Sequence, residues 1–317
     1  MNKIALEEHF MCPSMIGYWA KTVEDLPEEG KQYILGALTD FGERRLAEMD
    51  KAGVQRAMLS LAGPGVQIER DTATAVQESR VANDFLAETI ARNPQRFSGF
   101  AHLPMQSATE AAAELKRCVR QLGLNGAMIN GQTNGVYLDD PRYDPFWAMA
   151  EELGAPIYLH PADPEAHYAA WKGFPELTRA TWGWTVETAT HTLRMVFGGV
   201  FDRFPAAQLV LGHMGETLPY LLWRLDSRAK LYKQAKPMLH PPSVYIRRNV
   251  YVTTSGQCAN EPLRCALESL GEDRVMFAID YPFEDSATAG NFLDAAAISD
   301  AARAKIGHRT AQALFRF

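Results

Sequence analysis

Short apolar runs rich in β-branched and aromatic residues alternate along this chain with longer segments whose apolar positions recur every three to four residues. The first pattern buries both faces of a parallel strand and the second buries one stripe of a helix, so the alternation predicts repeated strand-helix units around a parallel sheet. Eight strand runs are legible, at residues 4–10, 55–61, 97–103, 126–130, 156–160, 208–213, 250–254 and 275–280. Helical spacing covers 42–52, 71–93, 108–122, 145–153, 185–204, 218–233 and 261–270, with 299–315 closing the chain. Asn93-Pro94 and Phe204-Pro205 stop helices, and Gly123 and Gly154 suit left-handed caps.

Eight such units in 317 residues match a closed (β/α)8 barrel. The expected fold class is therefore α/β, a single barrel domain spanning 1–317 with insertions after strands 1 and 5. An open doubly wound sheet is the runner-up, weakened because no Gly-rich phosphate loop follows the first strand. The insertions are residues 11–40, with Met11, Trp19 and Tyr33, and residues 161–184, with Trp171, Trp182 and Trp184. Both are expected to fold over the barrel mouth, where the tryptophans either face a flat apolar ligand or simply cover the barrel end.

Composition narrows the partners. The net charge is −6, with acidic and basic residues interspersed, which argues against nucleic acid and anionic membranes. No run reaches the roughly 18 apolar residues of a membrane span, and Met1-Asn2-Lys3 leads straight into the first strand without the apolar stretch of a signal peptide. Cys12, Cys118, Cys258 and Cys265 show neither a CxxC spacing nor the density of a disulfide scaffold. These features point to a cytoplasmic protein.

The candidate chemistry lies where strands end and βα loops begin, the place where barrels keep their active sites. Strand one ends Leu6-Glu7-Glu8-His9-Phe10, and alternation puts Glu7 and His9 on one face and Glu8 on the other. Strand five ends in His160, strand six in His213-Met214-Gly215-Glu216, and strand eight in Asp280. A lone histidine at a strand end is usually a structural residue held by hydrogen bonds. Several strands delivering a His or a carboxylate at one depth is hard to obtain from packing alone, and it predicts a site for one divalent cation held by Glu7, His9, His160 and Asp280. Imidazole with carboxylate suits zinc, manganese or ferrous iron, and no organic cofactor is expected. His213 is either a further ligand or, as we favour, a group beside the metal oriented by Glu216. Of the other histidines, His102 is a candidate substrate contact, His191 reads as packed in its helix, and His167, His240 and His308 as loop or surface residues.

At these residues the chain resembles the metal-dependent aromatic decarboxylases of the amidohydrolase superfamily, the group of γ-resorcylate, 2,3-dihydroxybenzoate and 5-carboxyvanillate decarboxylases. The likeness rests on Leu6-Glu7-Glu8-His9-Phe10, Tyr158-Leu159-His160-Pro161, Leu211-Gly212-His213-Met214-Gly215-Glu216 and Asp280-Tyr281-Pro282-Phe283. It extends through Gly42-Glu43-Arg44-Arg45-Leu46-Ala47-Glu48-Met49-Asp50 and Thr253-Thr254-Ser255-Gly256. The resemblance implies Glu7, His9, His160 and Asp280 as metal ligands, with zinc or manganese as the ion. It also implies Asp280, His213 and Glu216 as catalytic groups, and Arg224 as a substrate contact with Asn130 facing the same pocket. It further implies a small aromatic carboxylic acid as substrate and a homo-oligomer, dimer or tetramer. The carboxyvanillate branch lacks the histidine of the first motif, so His9 leans toward the hydroxybenzoate branch.

The expected reaction is non-oxidative decarboxylation of an ortho-hydroxy aromatic acid, reversible in principle. The ring carbon is protonated by Asp280 before CO2 leaves, because direct loss would strand an electron pair in the ring plane. Two rivals stand beside it. One is a mononuclear metal-dependent hydrolase of an ester, lactone or amide, for which the same ion and Asp280 would activate water. The other is a decarboxylase of a non-aromatic acid, of the aminocarboxymuconate-semialdehyde type, whose first motif is usually HxH where this chain has Glu7.

Overall fold

The computed structural model describes residues 2–24, 26–233 and 236–317. The insertion at 11–40 is therefore described except at Asp25, which lies outside these residues. Among these residues eight strands form: β1 (Lys3–Phe10), β2 (Val54–Leu61), β3 (Phe97–Gly99), β4 (Ala127–Asn130), β5 (Ile157–His160), β6 (Leu209–Leu211), β7 (Val250–Thr253) and β8 (Val275–Met276). All pair in parallel, β1 to β3 in one ladder and β4 to β8 in a second. Isolated bridges close both seams, Ala101 with Ala127 and Glu8 with Tyr281. The strands thus follow chain order around a closed circuit, the (β/α)8 barrel the alternation predicts.

Alternation divides the core in two. Ile4, Leu6, Met58, Phe100, Met128, Tyr158, Val210, Met276 and Ala278 fill the lumen and share one cluster with Ala311 and Phe315 of the C-terminal segment. Their neighbours Ala5, Leu59, Ile129, Leu159, Leu211 and Val252 face the helical layer. Two residues further along several strands, at Ser60, Asn130, His160 and Asp280, the inward face changes from apolar to polar, and that change marks the site end of the barrel.

Three strands end earlier than their apolar runs. Strand six stops at Leu211 instead of running to His213, strand three at Gly99 instead of Leu103, and strand eight at Met276 instead of Asp280. Side chains replace the missing ladder beyond β8. Thr254 Oγ1 accepts from Ala278 N (3.1 Å) and donates to Ala278 O (2.9 Å), and Glu8 Oε1 accepts from Ile279 N (3.1 Å). The segment is held without being extended, which frees Asp280 to leave the strand conformation.

The helical layer follows its periodicity, with Asp71 and Ser107 accepting from Thr74 N and Glu110 N as N-caps. The segment expected as one helix over 185–204 divides into Gly183–Phe197 and Val200–Arg203, because Gly199 takes φ 73°. Among the described residues, three helices of eight or more residues fall where no helix is expected, Glu28–Thr39, Pro242–Asn249 and Ser286–Ala295, beside the short helices Ile16–Trp19 and His213–Glu216. His240-Pro241-Pro242 reads as loop punctuation, yet a proline in the first turn has no amide that a helix needs. The two insertions touch each other, with Arg179 Nη1 donating to Thr22 O (2.6 Å). Of the three tryptophans in the second insertion, Trp171 is buried, Trp182 is exposed and Trp184 donates from Nε1 to Asp163 (2.7 Å).

Candidate metal centre

The site begins with a bulge in β1. The register runs Ala5 opposite Ala57 and then Glu8 opposite Leu59, so β1 spends one residue more than β2 over the same step. Leu6 faces the lumen, and without the extra residue Glu7 would turn outward to the helices. With it, Leu6 and Glu7 both face in, Glu8 turns out, and His9 faces in again. Simple alternation groups Glu7 with His9 correctly, and the bulge is what aims that pair at the barrel axis.

Glu7, His9, His160 and Asp280 each bring one donor atom into a group in which all lie within 4.8 Å of one another. His9 Nε2 is 3.3 Å from Asp280 Oδ1, and His160 Nε2 is 3.4 Å from Glu7 Oε1. An ion bound at about 2.1 Å by tetrahedrally disposed ligands separates them by about 3.4 Å. Glu7 Oε1 and His9 Nε2 are buried and have no hydrogen-bond partner. Buried polar atoms are normally satisfied, so this pair fits a cation between the four side chains.

The outer nitrogens of both imidazoles are engaged. His160 Nδ1 must donate to Pro161 O (2.8 Å), a carbonyl that only accepts, leaving Nε2 as a lone pair. His9 Nδ1 meets Ser60 Oγ (3.1 Å), a hydroxyl able to donate or accept, so this contact orients the ring without assigning its hydrogen. Burial, with His9 beside it, holds His160 down to about 3, so its ring is neutral as a ligand must be. Burial raises the Glu7 carboxyl, against opposing pulls from His213, His9 and Tyr158. Burial also works to raise Asp280, but contacts with His213 and His9 prevail and keep it well below the usual carboxylate range.

His213 stands beside this group without joining it. Its Nδ1 is 2.7 Å from Glu216 Oε1 and its Nε2 is 3.8 Å from Asp280 Oδ2. Glu216 is itself fixed by Thr185 Oγ1 (2.8 Å). Burial opposes charge on His213, yet Glu216 and Asp280 outweigh it and raise its pKa well above the ordinary value. The backbone here is unusual: His213, Met214, Glu216, Thr217 and Asp280 all have positive φ. Such conformations cost of order 1–3 kcal/mol each and cluster at functional sites.

Asn130 lies beside a member of the donor group in the sheet. It pairs in register with His160 across β4 and β5, it is buried, and neither atom of its amide has a partner. Its backbone is held by Gln67, which accepts from Asn130 N (2.6 Å) and donates to Asn130 O (3.2 Å). Arg224 does not join. It is exposed on the helix Leu218–Ala229 and lines an outer groove with Phe197, Leu221 and Arg228. The expectation that it touches substrate is not met within a single chain, because that helix turns it outward. His102 is corrected as well. Its Nε2 accepts from Val66 N (3.0 Å), which engages it in shaping the loop after β2.

Sequence reasoning passed over Tyr158, Ser60, Thr253 and Gln67. The first three are inward residues of strands that already carry site residues or border them, and Tyr158 lies two positions before His160, so lumen parity was the available signal. Gln67 has no such signal, since it belongs to a short turn after β2.

A closed parallel barrel gathering two imidazoles and two carboxylates around buried, unsatisfied donor atoms defines a metal-dependent barrel enzyme. Comparison with known proteins narrows the class. A family model described as amidohydrolase matches residues 36–317, and the chain belongs to this family. It is 42% identical to the γ-resorcylate decarboxylase of Rhodococcus jostii, over 99% of this chain and 98% of that protein. Among solved structures, it is similar to a dihydroxybenzoic acid decarboxylase from Polaromonas with bound manganese and the inhibitor 2-nitroresorcinol. That match has 40% identity and a TM-score of 0.94, covering 99% of this chain and 97% of the other. A 5-carboxyvanillate decarboxylase from Sphingomonas paucimobilis matches with 38% identity and a TM-score of 0.94, over 100% of this chain and 99% of that one.

Proposed function

We propose that this chain is a carbon-carbon lyase that removes CO2, without oxidation, from a small ortho-hydroxy aromatic acid of the dihydroxybenzoate kind, using one divalent ion, zinc or manganese. The observation that carries the reading is the pair of buried, unpartnered atoms, Glu7 Oε1 and His9 Nε2, within a four-residue donor set. The full-length similarity to decarboxylases of dihydroxybenzoates supports the substrate class. We take residues 1–317 as one catalytic domain. We also infer a homo-oligomer, dimer or tetramer, for which the exposed Tyr220 and Trp223 beside Arg224 offer apolar surface.

Glu7, His9, His160 and Asp280 would hold the ion. Bound there, it supplies Lewis acidity that favours negative charge on an ortho oxygen and a carboxylate of the substrate. The remaining work falls to the chain. Asp280 is held as an anion, so a proton it delivers is one it has first received. His213, kept protonated by Glu216 and Asp280, is the reserve, with Nε2 facing Asp280 Oδ2. Asp280 passes the proton to the ring carbon that bears the carboxylate. The bond to the carboxyl carbon then breaks, its electrons restore the aromatic ring, and CO2 leaves. Asn130, with a free amide donor and acceptor, contacts a substrate oxygen. Arg224 retains a substrate-binding role only on the family resemblance, and its replacement by Ala is expected to alter affinity and leave metal content unchanged.

The test is to incubate the metal-loaded enzyme with a panel of ortho-hydroxybenzoates, following CO2 release and, in bicarbonate, carboxylation, beside a panel of simple esters and lactones. Turnover of the acids supports the reading. Turnover of the esters or lactones alone would replace it with the hydrolase alternative.

A further inference from the structure

Glu7 divides its two carboxylate oxygens between different tasks. Oε1 faces His160 and has no hydrogen-bond partner. Oε2 points the other way, into the lumen, where it accepts a hydrogen bond from the hydroxyl of Tyr158. The Tyr158 hydroxyl is in turn 2.9 Å from Thr253 Oγ1, and Ser255 N donates to that oxygen (3.4 Å). Tyr158 and Thr253 are both fully buried.

The direction of this chain is settled by its ends. The Ser255 amide can only donate and an ionised Glu7 can only accept. The hydroxyls between them therefore run one way: Ser255 N–H to Thr253, Thr253 O–H to Tyr158, Tyr158 O–H to Glu7. Every hydrogen is used and none competes for Oε1. Gly212 completes the enclosure, because a Cβ at that position would lie 2.8 Å from Glu7 Oε2. One carboxylate oxygen is thus packed and donated to on the lumen side, and the other is left bare toward the donor group.

We propose that Tyr158, backed by Thr253, is a positioning residue for Glu7, holding its carboxylate so that a single oxygen is presented to the metal. This rests on the metal reading above and extends it to side chains that touch neither metal nor substrate. A group that orients a ligand in this way typically accounts for 10- to 100-fold in metal affinity. Removing the Tyr158 hydroxyl leaves Oε2 with nothing to hold it. The carboxylate is then free to turn, and the site loses a preset ligand.

The experiment measures manganese and zinc affinity by competition with a chromophoric chelator, together with apo melting temperature, in wild type and four variants. In Tyr158→Phe the ring still fills the lumen, and affinity is expected to fall by about 10-fold or more. Thr253→Val should weaken binding to a smaller degree, while Thr253→Ser, which keeps the hydroxyl, should bind as wild type does. Tyr143→Phe is the control, since it removes another buried tyrosine hydroxyl, one that donates to Met105 O (2.9 Å). It should bind metal as wild type does. Wild-type affinity in Tyr158→Phe overturns the proposal, as does an equal loss in Tyr143→Phe, which would mark a general packing effect. If Tyr158→Phe does not fold, Thr253→Val against Thr253→Ser decides by the same criterion. Failure of the wild type to bind either ion instead overturns the metal reading itself, so the two failures are distinguishable.

Discussion

His213 points Nε2 at Asp280 Oδ2 from 3.8 Å and cannot turn away, because its other nitrogen is taken by Glu216 at 2.7 Å. The arrangement gives His213 the proton and Asp280 the negative charge, and it keeps His213 out of the four-atom donor group. It supports the proposed division between two roles that look alike in sequence, a histidine that binds the ion and a histidine that handles a proton. Replacing His213 by Asn should lower kcat by about 10²-fold or more, the usual scale for losing a proton-transfer group, with metal content unchanged. Metal analysis beside His160→Ala checks it. Equal metal loss in both variants would make His213 a ligand.

For the ligands themselves the expected signature is a lost thermal response. An ion that binds only the folded chain stabilises it by about 2.7 kcal/mol when present at 100 times its Kd. Wild type should therefore melt at a higher temperature in excess manganese. His9→Ala, His160→Ala and Glu7→Gln should each melt at the same temperature with and without it, because each leaves at most three of the four donors. Differential scanning fluorimetry at fixed pH reads this without any substrate, and a retained shift in Glu7→Gln would remove Glu7 from the donor set.

Much of this was legible before the structure, for physical reasons that differ by element. His160 is legible as the last residue of its strand run and Asn130 only through the family resemblance, while their pairing in register shows in the structure alone. Asp280 was found as a residue, but its φ of 82° was not, because the apolar run from 275 reads as a strand up to that point. The bulge in β1 was likewise invisible, since an extra residue shows only against the partner strand. Tyr158 was hidden by its own hydrophobicity, which fits a lumen core equally well. Arg224 rests on a motif match, which gives identity without direction, and its helix turns it to solvent within a single chain.

Asn130 separates binding from stability. A buried asparagine commonly anchors backbone, as Asn249 does through Nδ2 to Pro205 O (2.9 Å) and Ala207 O (2.8 Å). Asn130 makes no such bond through its side chain. Asn130→Ala is therefore expected to leave the melting temperature within a few degrees of wild type. It should weaken substrate or inhibitor binding about 10-fold, the value of one good hydrogen bond. Asn249→Ala should do the reverse, with a large fall in melting temperature. A strongly destabilised Asn130→Ala with normal affinity would contradict the assignment.

Acid stability is expected to depend on a histidine outside the four-residue donor group. His102 is buried and its Nε2 accepts from Val66 N at 3.0 Å, so the folded state needs the neutral ring. Burial lowers its pKa from the ordinary 6.5 to about 4. Between these two values the unfolded chain binds a proton at this position and the folded chain does not, so stability must fall as pH falls. The loss begins near pH 6.5 and stops near pH 4, where the folded form takes up the proton as well. A shift of this size corresponds to roughly 3 kcal/mol over the whole window, at about 1.4 kcal/mol per unit. His102→Gln keeps an acceptor for the Val66 amide and removes the titration. Urea denaturation of the apo protein at pH 6.5 and pH 4.5 should show wild type losing roughly 2–3 kcal/mol more than His102→Gln across that interval. Comparing the two slopes cancels any constant change that the substitution makes to stability. Identical slopes would show that the acid sensitivity of this barrel arises elsewhere.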